Sequence, residues 1–343
     1  RTVTMHPEKI AERLDRLFDV LKSSRRDLAP RQRSLQATID WSFDLLDDAE
    51  RWAFAQLSVF HGGFFLDAAE AVLDLSRFPG APEPMDIIQS LREKSLLRAF
   101  ETPYETRFGM YQLIHEYAAA KWNELASDTE REAVQQRFAE YFRSYCEDWN
   151  GRTNSIEAVE ALDRLDLARG NLQAVLEHAR LSDDAPHRQL FIDISLNMYS
   201  LLRIRGPARG RVPAMDAALA MVPESDKLMR TRMSCLQSQS HREAGDPAKG
   251  AELAWEAIRL AEQSGDEMAL AAARFNLAGI EYAQGHTERA QELHLEALPV
   301  FRKQGNRLNE ARVLTRMALA AADLDDFKVV NDSLGHVAGD EVL

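Results

Sequence analysis

The C-terminal half of the chain repeats one pattern of apolar and polar positions. Apolar residues recur there every three or four residues, which is the period of a helix with one buried face. Stretches 244–257 and 284–297 carry the pattern most plainly and superpose at a spacing of 40 residues. The matched positions are Gly245 with Gly285, Leu253 with Leu293, and Ala257 with Ala297. Such a constant spacing predicts a repeated structural unit.

Each unit is predicted to be a pair of helices joined by a glycine turn. Gly245 and Gly285 lie where one helix must end, and glycine tolerates the left-handed backbone of such a turn. A further copy is predicted to begin at Asp325-Asp326, and a degenerate copy near Gly206-Pro207. One pair cannot bury its apolar face alone, so the pairs are expected to stack into an α-solenoid.

These repeats resemble tetratricopeptide repeats, although their period is longer than the usual ~34 residues. We expect residues 185–322 to be all-helical antiparallel pairs, with no strand between 225 and 320. A non-repeating helical bundle is the alternative. The concave face of a solenoid commonly binds an extended partner. On that face we expect Tyr282, His286 and Arg289 to contact a protein partner or a small effector.

The N-terminal half carries shorter helical segments followed by two strands. Helical spacing is found at 7–22, 30–46, 48–60, 66–75 and 85–94. Residues 95–100 and 106–111 are predicted to be strands on either side of a turn at Pro103. The last three of these helical segments are followed directly by the hairpin, and three helices closed by a hairpin predict a winged helix. Within it, this hairpin should be the only β-structure.

Three stretches of this half resemble the winged-helix segment of large bacterial regulators, the signal-transduction ATPases with numerous domains (STAND). They are PRQRSLQATIDWSFDLLDDAERWAFAQLSVFHGGFFLDAAEAV (Pro30 to Val72), LREKSLL (Leu91 to Leu97) and RFGMYQLIHEYAAAKWNEL (Arg107 to Leu125). Residues 1–29 resemble the end of the ATPase lid, and 162–179 resemble the join into the repeats. The resemblance implies an upstream ATPase domain in the parent protein. This chain contains no Gly-x-x-x-x-Gly-Lys-Ser/Thr, so we expect it neither to bind ATP tightly nor to hydrolyse it.

Residues 323–343, DLDDFKVVNDSLGHVAGDEVL, resemble the start of a GGDEF domain, the fold of diguanylate cyclases. The resemblance implies chemistry in which Mg²⁺ bridges the phosphates of two GTP molecules and a carboxylate holds the metal. It makes Asp323 the metal ligand, brings Lys328 to a phosphate, and lets Asn331 and Asp340 read a guanine edge. The Gly-Gly-Asp/Glu-Glu-Phe turn of the family is absent from the chain. We therefore expect this segment to be catalytically silent and to extend the preceding repeat helix.

Composition and charge narrow the classes of partner. The formal net charge of −13 argues against a general nucleic-acid or anionic-membrane surface, and we expect no DNA binding. No apolar run approaches the roughly 18 residues that a membrane span needs.

Cys146 and Cys235 are interpreted as reduced core residues of a cytoplasmic protein. No cofactor is expected in this chain; Mg²⁺ and GTP enter only if the tail acts as a cyclase.

The predicted fold class is mainly α, with a small winged-helix domain followed by an α-solenoid of tetratricopeptide-like helix pairs. The predicted segments are 1–29 (end of an ATPase lid), 30–126 (winged helix), 127–184 (helical connector), 185–322 (repeat solenoid) and 323–343 (truncated GGDEF-like tail).

Two functions are compatible with this organisation. The favoured one is a regulatory interaction module of a STAND-type regulator, and the other is a sensor-regulated diguanylate cyclase. Half a catalytic domain cannot position two GTP molecules, which is why the first is favoured.

Overall fold

The computed structural model of the chain describes residues 30–182 and 184–334, with side chains described for 36–182 and 184–320. These residues form fifteen α-helices and one sheet of two strands, which confirms the mainly-α fold class. The chain divides into two compact units, Arg1–Tyr141 and Phe142–Leu343. The helix predicted at 7–22 lies outside the described residues.

The bounds of the elements follow the chain order. Helix α1 spans Pro30–Asp44, α2 Asp48–Gln56, α3 Leu66–Val72, α4 Pro84–Glu93, β1 Arg98–Glu101, β2 Thr106–Gly109, α5 Gln112–Leu125 and α6 Asp128–Arg152. Helix α7 spans Ala158–Leu167, α8 Arg169–Ala179, α9 Ala185–Arg205, α10 Ala208–Met221, α11 Lys227–Glu243 and α12 Pro247–Ser264. Helix α13 spans Glu267–Ala283, α14 Thr287–Lys303 and α15 Arg307–Leu334.

Helix α2 is fixed at its start by a capping box and a buried ion pair. Asp47 Oδ1 accepts from Glu50 N at 2.8 Å, and Glu50 Oε2 accepts from Asp47 N at 2.9 Å. Glu50 is buried, and Lys94 Nζ donates to both of its carboxylate oxygens at 2.7 Å. Burial opposes ionisation of Glu50, but hydrogen bonds from Lys94, Ser90 and the Asp47 N–H together lower its pKa. The start of α2 is thereby tied to the end of α4.

Strands β1 and β2 pair antiparallel along their whole lengths, which confirms the predicted hairpin. The first strand begins at Arg98, whereas the pattern predicted residue 95. Ser95 has a φ of +61°, and Leu96 N donates to Leu91 O at 2.9 Å. The chain is therefore still closing helix α4 at these positions and pairs with β2 only from Arg98.

One further residue pairs with the hairpin. Phe64 N donates to Phe108 O at 2.8 Å, and Phe108 N donates to Phe64 O at 2.7 Å. Gly63 has a φ of +108°, and a Cβ there would lie 2.6 Å from Phe108 O, so the bridge requires glycine at this position. The prediction that the hairpin is the only β-structure missed this bridge, because one paired residue has no period to detect.

The turns of the second unit repeat one backbone closure. Gly245 and Gly285 have φ values of +93° and +84°. In both turns the residue after the glycine donates its N–H to a carbonyl of the preceding helix at 2.9 Å. Gly305 is also left-handed, and Asn306 N donates to Phe301 O in the same way. The predicted equivalence of Gly245 and Gly285 is confirmed.

The helices of the second unit pack as successive pairs, as expected of a solenoid. The structure describes every residue between 225 and 320, and no strand lies among them. Helix α11 packs on α12, α13 packs on α14, and α11 also packs on α13. Small and large apolar side chains alternate in the core between these helices; they include Ala254, Ala257, Leu277, Ala278 and Leu293. The α-solenoid is confirmed.

The outermost predicted repeat turns differ from the central ones. Helix α9 ends before Gly206-Pro207 as predicted, but Gly206 has a φ of −100° and is not left-handed. The turn predicted at Asp325-Asp326 is wrong, because α15 continues to Leu334. Asp325 occupies the position of Gly285, and a left-handed backbone costs a residue other than glycine about 1–2 kcal/mol. The expected extension of the repeat helix is confirmed as far as Leu334, and residues 335–343 lie outside the described residues.

Both cysteines agree with the interpretation as reduced core residues. Neither forms a disulfide, and Cys146 is fully buried. Burial raises the pKa of each thiol, Cys146 and Cys235, to about 12, so neither is a thiolate near neutral pH. None of the helices in the described part of the chain combines the length and the apolar character that crossing a bilayer requires.

Two helical glycines provide a matched test of the packing between α11 and α12. A Cβ at Gly250 would meet Ser238 O at 3.0 Å and Arg242 N at 3.3 Å, whereas a Cβ at Gly279 meets nothing within 4 Å. Gly250→Ala should lower the free energy of unfolding by about 1–3 kcal/mol through overpacking. Gly279→Ala should raise it by about 0.5–1 kcal/mol, because alanine is the better helix former.

The measurement is urea denaturation of both variants and the wild type, followed by circular dichroism. If Gly250→Ala were as stable as Gly279→Ala, the close approach of these two helices would not depend on glycine.

Candidate functional site

Helices α9, α11, α13 and α15 are the first helices of successive pairs, and we call the surface that they share the inner face. Tyr199 Oη donates to Gln239 Oε1 at 2.8 Å, and Arg203 Nε donates to Glu243 Oε1 at 3.3 Å. Each of these pairs spans 40 residues, so both join equivalent positions of α9 and α11. The spacing of the repeat thus sets which side chains meet on the inner face.

Glu243, the last residue of α11, is contacted by three arginines. Arg203 Nε and Arg242 Nη2 each lie 3.3 Å from Glu243 Oε1. Arg211 from α10 donates to the other carboxylate oxygen. One carboxylate therefore serves as the counter-ion of three guanidinium groups.

Arg211 also has a structural role at the end of α9. Its side chain is only 3% exposed, and its Nη1 donates to the carbonyl oxygens of Leu202 at 3.3 Å and Arg203 at 3.0 Å. These carbonyls belong to the last turn of α9, where the helix itself supplies no donor. Arg211 therefore closes α9 and cannot turn toward another partner.

Helix α15 brings two further arginines to this region. Burial lowers the pKa of Arg312, and the nearby charges of Arg203 and Arg316 lower it further. Burial also lowers the pKa of Arg242, and Arg316 and Arg203 act in the same direction against Glu243. Guanidinium groups of α9, α11 and α15 therefore lie close enough to repel one another.

These residues form what we call the arginine cluster: Arg203, Arg211, Arg242, Arg312 and Arg316. Three of them, Arg203, Arg211 and Arg242, share the carboxylate of Glu243 as their counter-ion, within a chain whose net charge is −13. Among the described side chains, neither Arg312 nor Arg316 forms an ion pair. A guanidinium group binds a carboxylate or a phosphate through two parallel hydrogen bonds, so this arrangement can bind an anion.

A buried histidine lies beside the cluster. His294 is 3% exposed, and its ring centroid is 5.6 Å from that of Phe275. Its Nε2 has no hydrogen-bond partner among the described residues. Burial lowers the pKa of His294 to about 4, and the charge of Arg316 acts in the same direction. The ring is therefore neutral at physiological pH and adds no charge to the inner face.

The residues predicted to contact a partner lie together at the turn between α13 and α14. Tyr282 is partly buried against the apolar core. His286 Nδ1 lies 2.7 Å from Glu281 Oε2, and Arg289 Nη1 donates to Glu292 Oε2 at 2.7 Å. His286 and Arg289 are thus paired with acidic neighbours, and their role in partner binding stays a prediction.

The sequence pattern did not single out the arginine cluster. Its members are separated by up to 113 positions, from Arg203 to Arg316, and no local motif marks them. The one available signal was the 40-residue spacing of Arg203 and Glu243, which places opposite charges at equivalent repeat positions.

The GGDEF-like residues fall at the end of the described chain. Asp323, Lys328 and Asn331 lie within α15, where the structure describes the backbone alone. Asp340 lies outside the described residues. The roles that the resemblance implies for them, including Asp323 as a metal ligand, stay predictions.

The first unit contains a depression of about 510 Å³ beside the hairpin. Its polar lining comprises His61, Arg98, Gln112, His115 and Glu116. The His61 and His115 rings lie 5.4 Å apart, and burial raises the pKa of Glu116. The Arg98 guanidinium stacks on Phe100 at 4.2 Å and Tyr111 at 4.5 Å. With its arginine engaged in this way, the depression offers less charge for a ligand than the inner face.

Comparison with known families and proteins gives several likenesses. The family described as Diguanylate cyclase, GGDEF domain, matches residues 300–343. A protein of Mycobacterium tuberculosis named as an HTH-type transcriptional regulator is 34% identical over 145 residues, which is 41% of this chain and 16% of that protein. An uncharacterized protein of the same species is 38% identical over 72 residues, which is 21% of this chain and 18% of that protein. The chain thus spans less than a fifth of the length of either relative.

Among solved structures, the chain is similar to a STAND protein with a tetratricopeptide repeat sensor from Pyrococcus horikoshii. The TM-score is 0.36 at 13% identity, covering 97% of this chain and 64% of that chain. A likeness this distant carries no argument about function.

His294 should make the stability of the second unit depend on pH. Its pKa falls from 6.5 in the unfolded chain to about 4 in the folded one, so below pH 6.5 the unfolded chain binds the additional proton. The free energy of unfolding should therefore fall by about 2–3 kcal/mol as the pH drops from about 7 to 4. His294→Leu should lack this part of the pH dependence.

Urea denaturation of both proteins across that pH range measures the difference between their curves. Parallel curves for the wild type and His294→Leu would contradict the lowered pKa.

Proposed function

We propose that this chain is the regulatory part of a STAND-type signal-transduction regulator, in which the inner face of the repeats binds a partner protein or a small effector. The observation that supports this most directly is the arginine cluster. It concentrates positive charge on one face of an acidic chain, and charges of one sign held together in this way are costly unless an anion offsets them. The partial similarity to an HTH-type transcriptional regulator supports a regulatory role.

In this proposal residues 30–126 form a winged helix that acts as a structural joint between an upstream ATPase domain and the repeats. Helix α4 is the third of the three helices, α2 to α4, that directly precede the hairpin. The Lys94 ammonium group at the end of α4 is bound by Glu50, and Arg92 lies next to Glu93. Little positive charge remains there for DNA phosphates, whose contacts supply much of DNA affinity. The proposal therefore includes no DNA binding by this segment, and it assigns the protein to the cytoplasm.

A diguanylate cyclase is the second candidate, and the family match over residues 300–343 favours it. Asp323 would then hold Mg²⁺ while GTP is bound by the remainder of a cyclase domain. Two observations weigh against catalysis by this chain. The backbone from Asp323 to Leu334 is helical, and no strand follows β2 among the residues that the structure describes. A cyclase sheet needs several paired strands, since backbone groups buried in a sheet must be hydrogen-bonded.

A random peptide library displayed on phage tests the regulatory proposal without assuming the chemistry of the partner. Selection against the 343-residue chain should enrich peptides that bind specifically. Hydrogen exchange of the complex should then show protection on the inner-face helices α9, α11, α13 and α15 rather than on α10, α12 and α14. Absence of enriched peptides, or protection confined to the outer helices, would remove the basis of the proposal.

Incubation with GTP and Mg²⁺ tests the cyclase candidate. We expect no cyclic di-GMP above background by liquid chromatography, and no difference between the wild type and Asp323→Ala. Product that is lost in Asp323→Ala would show that the chain is an enzyme and that the regulatory proposal is incomplete.

A further inference from the structure

Two histidines of the second unit meet at the turn between α8 and α9. His178 lies in the last turn of α8 and His187 in the first turn of α9. Their ring centroids are 5.3 Å apart, and a nitrogen of one ring lies within 4.8 Å of a nitrogen of the other. Both side chains are half-buried, so small ions in the solvent can reach them.

The packing of α8 on α9 holds the two rings near one another. Ala179, which follows His178, is 1% exposed and belongs to the same apolar core as Phe191, one turn beyond His187. The two helices are packed directly on each other. The positions of the rings are therefore set by this core, and a ligand that binds both histidines need not bring the helices together first.

Asp184 fixes the orientation of the His187 ring. Its Oδ1 accepts from His187 N at 2.9 Å and lies 2.8 Å from His187 Nδ1. Its Oδ2 accepts from Ser182 Oγ at 2.9 Å. An ionised carboxylate can only accept hydrogen bonds, so Nδ1 carries a proton and the lone pair of the neutral ring lies on Nε2. Histidines that ligate metals commonly donate their other ring nitrogen to a carboxylate in this way.

We propose that His178 and His187 together bind one divalent transition-metal ion, Zn²⁺ foremost, with Asp184 as the residue that orients His187. The inference goes beyond the proposed function and does not depend on it. Two nitrogen ligands at about 2.0–2.1 Å from a tetrahedral Zn²⁺ lie about 3.3 Å apart. Small rotations of the two side chains bring the ring nitrogens to that separation, and water completes the coordination.

A helix cap alone does not account for this arrangement. Asp184 would cap α9 through the backbone N–H of residue 187 whatever side chain that residue carried. The cap also requires nothing of residue 178, at the end of a different helix. Two imidazoles and an orienting carboxylate at one turn are instead the groups that a borderline metal ion such as Zn²⁺ prefers.

An ion at this turn would connect the helical connector to the repeats. It would link the last turn of α8 to the first turn of α9, the helix that carries Tyr199 and Arg203 on the inner face. A closed structural zinc site has four protein ligands, whereas this pair supplies two. The ion therefore exchanges with the solvent, and the occupancy of the site follows the concentration of free metal.

Calorimetric titration of the full 343-residue chain with ZnCl₂, after treatment with EDTA and dialysis, tests the inference. We expect one Zn²⁺ at the strongest site, and binding there at least about tenfold weaker in His178→Asn and in His187→Asn. The matched control is His286→Asn. His286 is also paired with a carboxylate, Glu281, at 2.7 Å, but it lies outside this turn, so its loss should change the affinity by less than about twofold.

Two further measurements separate a metal site from a purely structural turn. Excess Zn²⁺ should raise the melting temperature of the wild type and of His286→Asn, but not that of His178→Asn/His187→Asn. Electron paramagnetic resonance with less than one equivalent of Cu²⁺ counts the nitrogen ligands directly. We expect two in the wild type and one in each single variant of His178 or His187.

Asp184→Ser tests the orienting role, because serine keeps the helix cap but removes the carboxylate. Zn²⁺ should bind about tenfold more weakly to this variant, while its melting temperature without metal stays close to that of the wild type. Unchanged affinity would exclude Asp184 as an orienting residue.

Several results would overturn the inference as a whole. Circular dichroism without metal first establishes that each variant is folded. Equal Zn²⁺ affinity of the wild type and His178→Asn/His187→Asn would place the binding elsewhere in the chain. An equal loss in His286→Asn would indicate unspecific binding to exposed histidines. Specific library peptides that still protect the inner face in such a case would leave the proposed function intact.

Discussion

A left-handed backbone at the residue that follows a first helix is the constraint on which the solenoid depends. Gly245 and Gly285 adopt it with equivalent hydrogen bonds, so the second helix of each pair leaves in the same direction. Equal turns make equal pairs, and equal pairs stack with their first helices on one face. The packing of α11 on α13 follows from this repetition.

The chemistry of the inner face is set by charges that the repeat brings together. Tyr199 with Gln239 and Arg203 with Glu243 are equivalent pairs one repeat apart, and they join α9 to α11. Arg211 strengthens the same joint, because it binds both Glu243 and the last carbonyls of α9. Arg211, which has a structural role, and Arg203, which is a candidate for binding, therefore share the carboxylate of Glu243.

The sequence predicted the parts of this structure that depend on local chemistry. Glycine at positions 245 and 285 marked the turns because only glycine adopts that backbone without strain. The same rule explains the error at Asp325, where the repeat spacing continues but the glycine does not, so α15 runs on. The 40-residue period indicated a further copy of the repeat, whereas the identity of the residue at the turn position decides whether the helix ends there.

The candidate site depended on information that a linear pattern does not contain. Arg203 on α9 and Glu243 on α11 pair across 40 positions, and which side chains meet between helices of different repeats depends on small rotations between pairs that no single motif records. The exposed residues chosen from the sequence, His286 and Arg289, are instead paired with Glu281 and Glu292. Exposure and charge are visible in a sequence, but the absence of a counter-ion becomes visible only in three dimensions.

Glu243 gives the inner face an internal competitor. Any incoming carboxylate that binds Arg203 or Arg242 must share them with a group that is already in place and costs no association entropy. A partner with one negative charge would exchange one contact for another and gain little. A partner with several would gain at the arginines that Glu243 does not reach. Selectivity at this face would thus be a matter of valence: the number of charges that a partner presents together, more than the presence of any one of them, decides whether it is held.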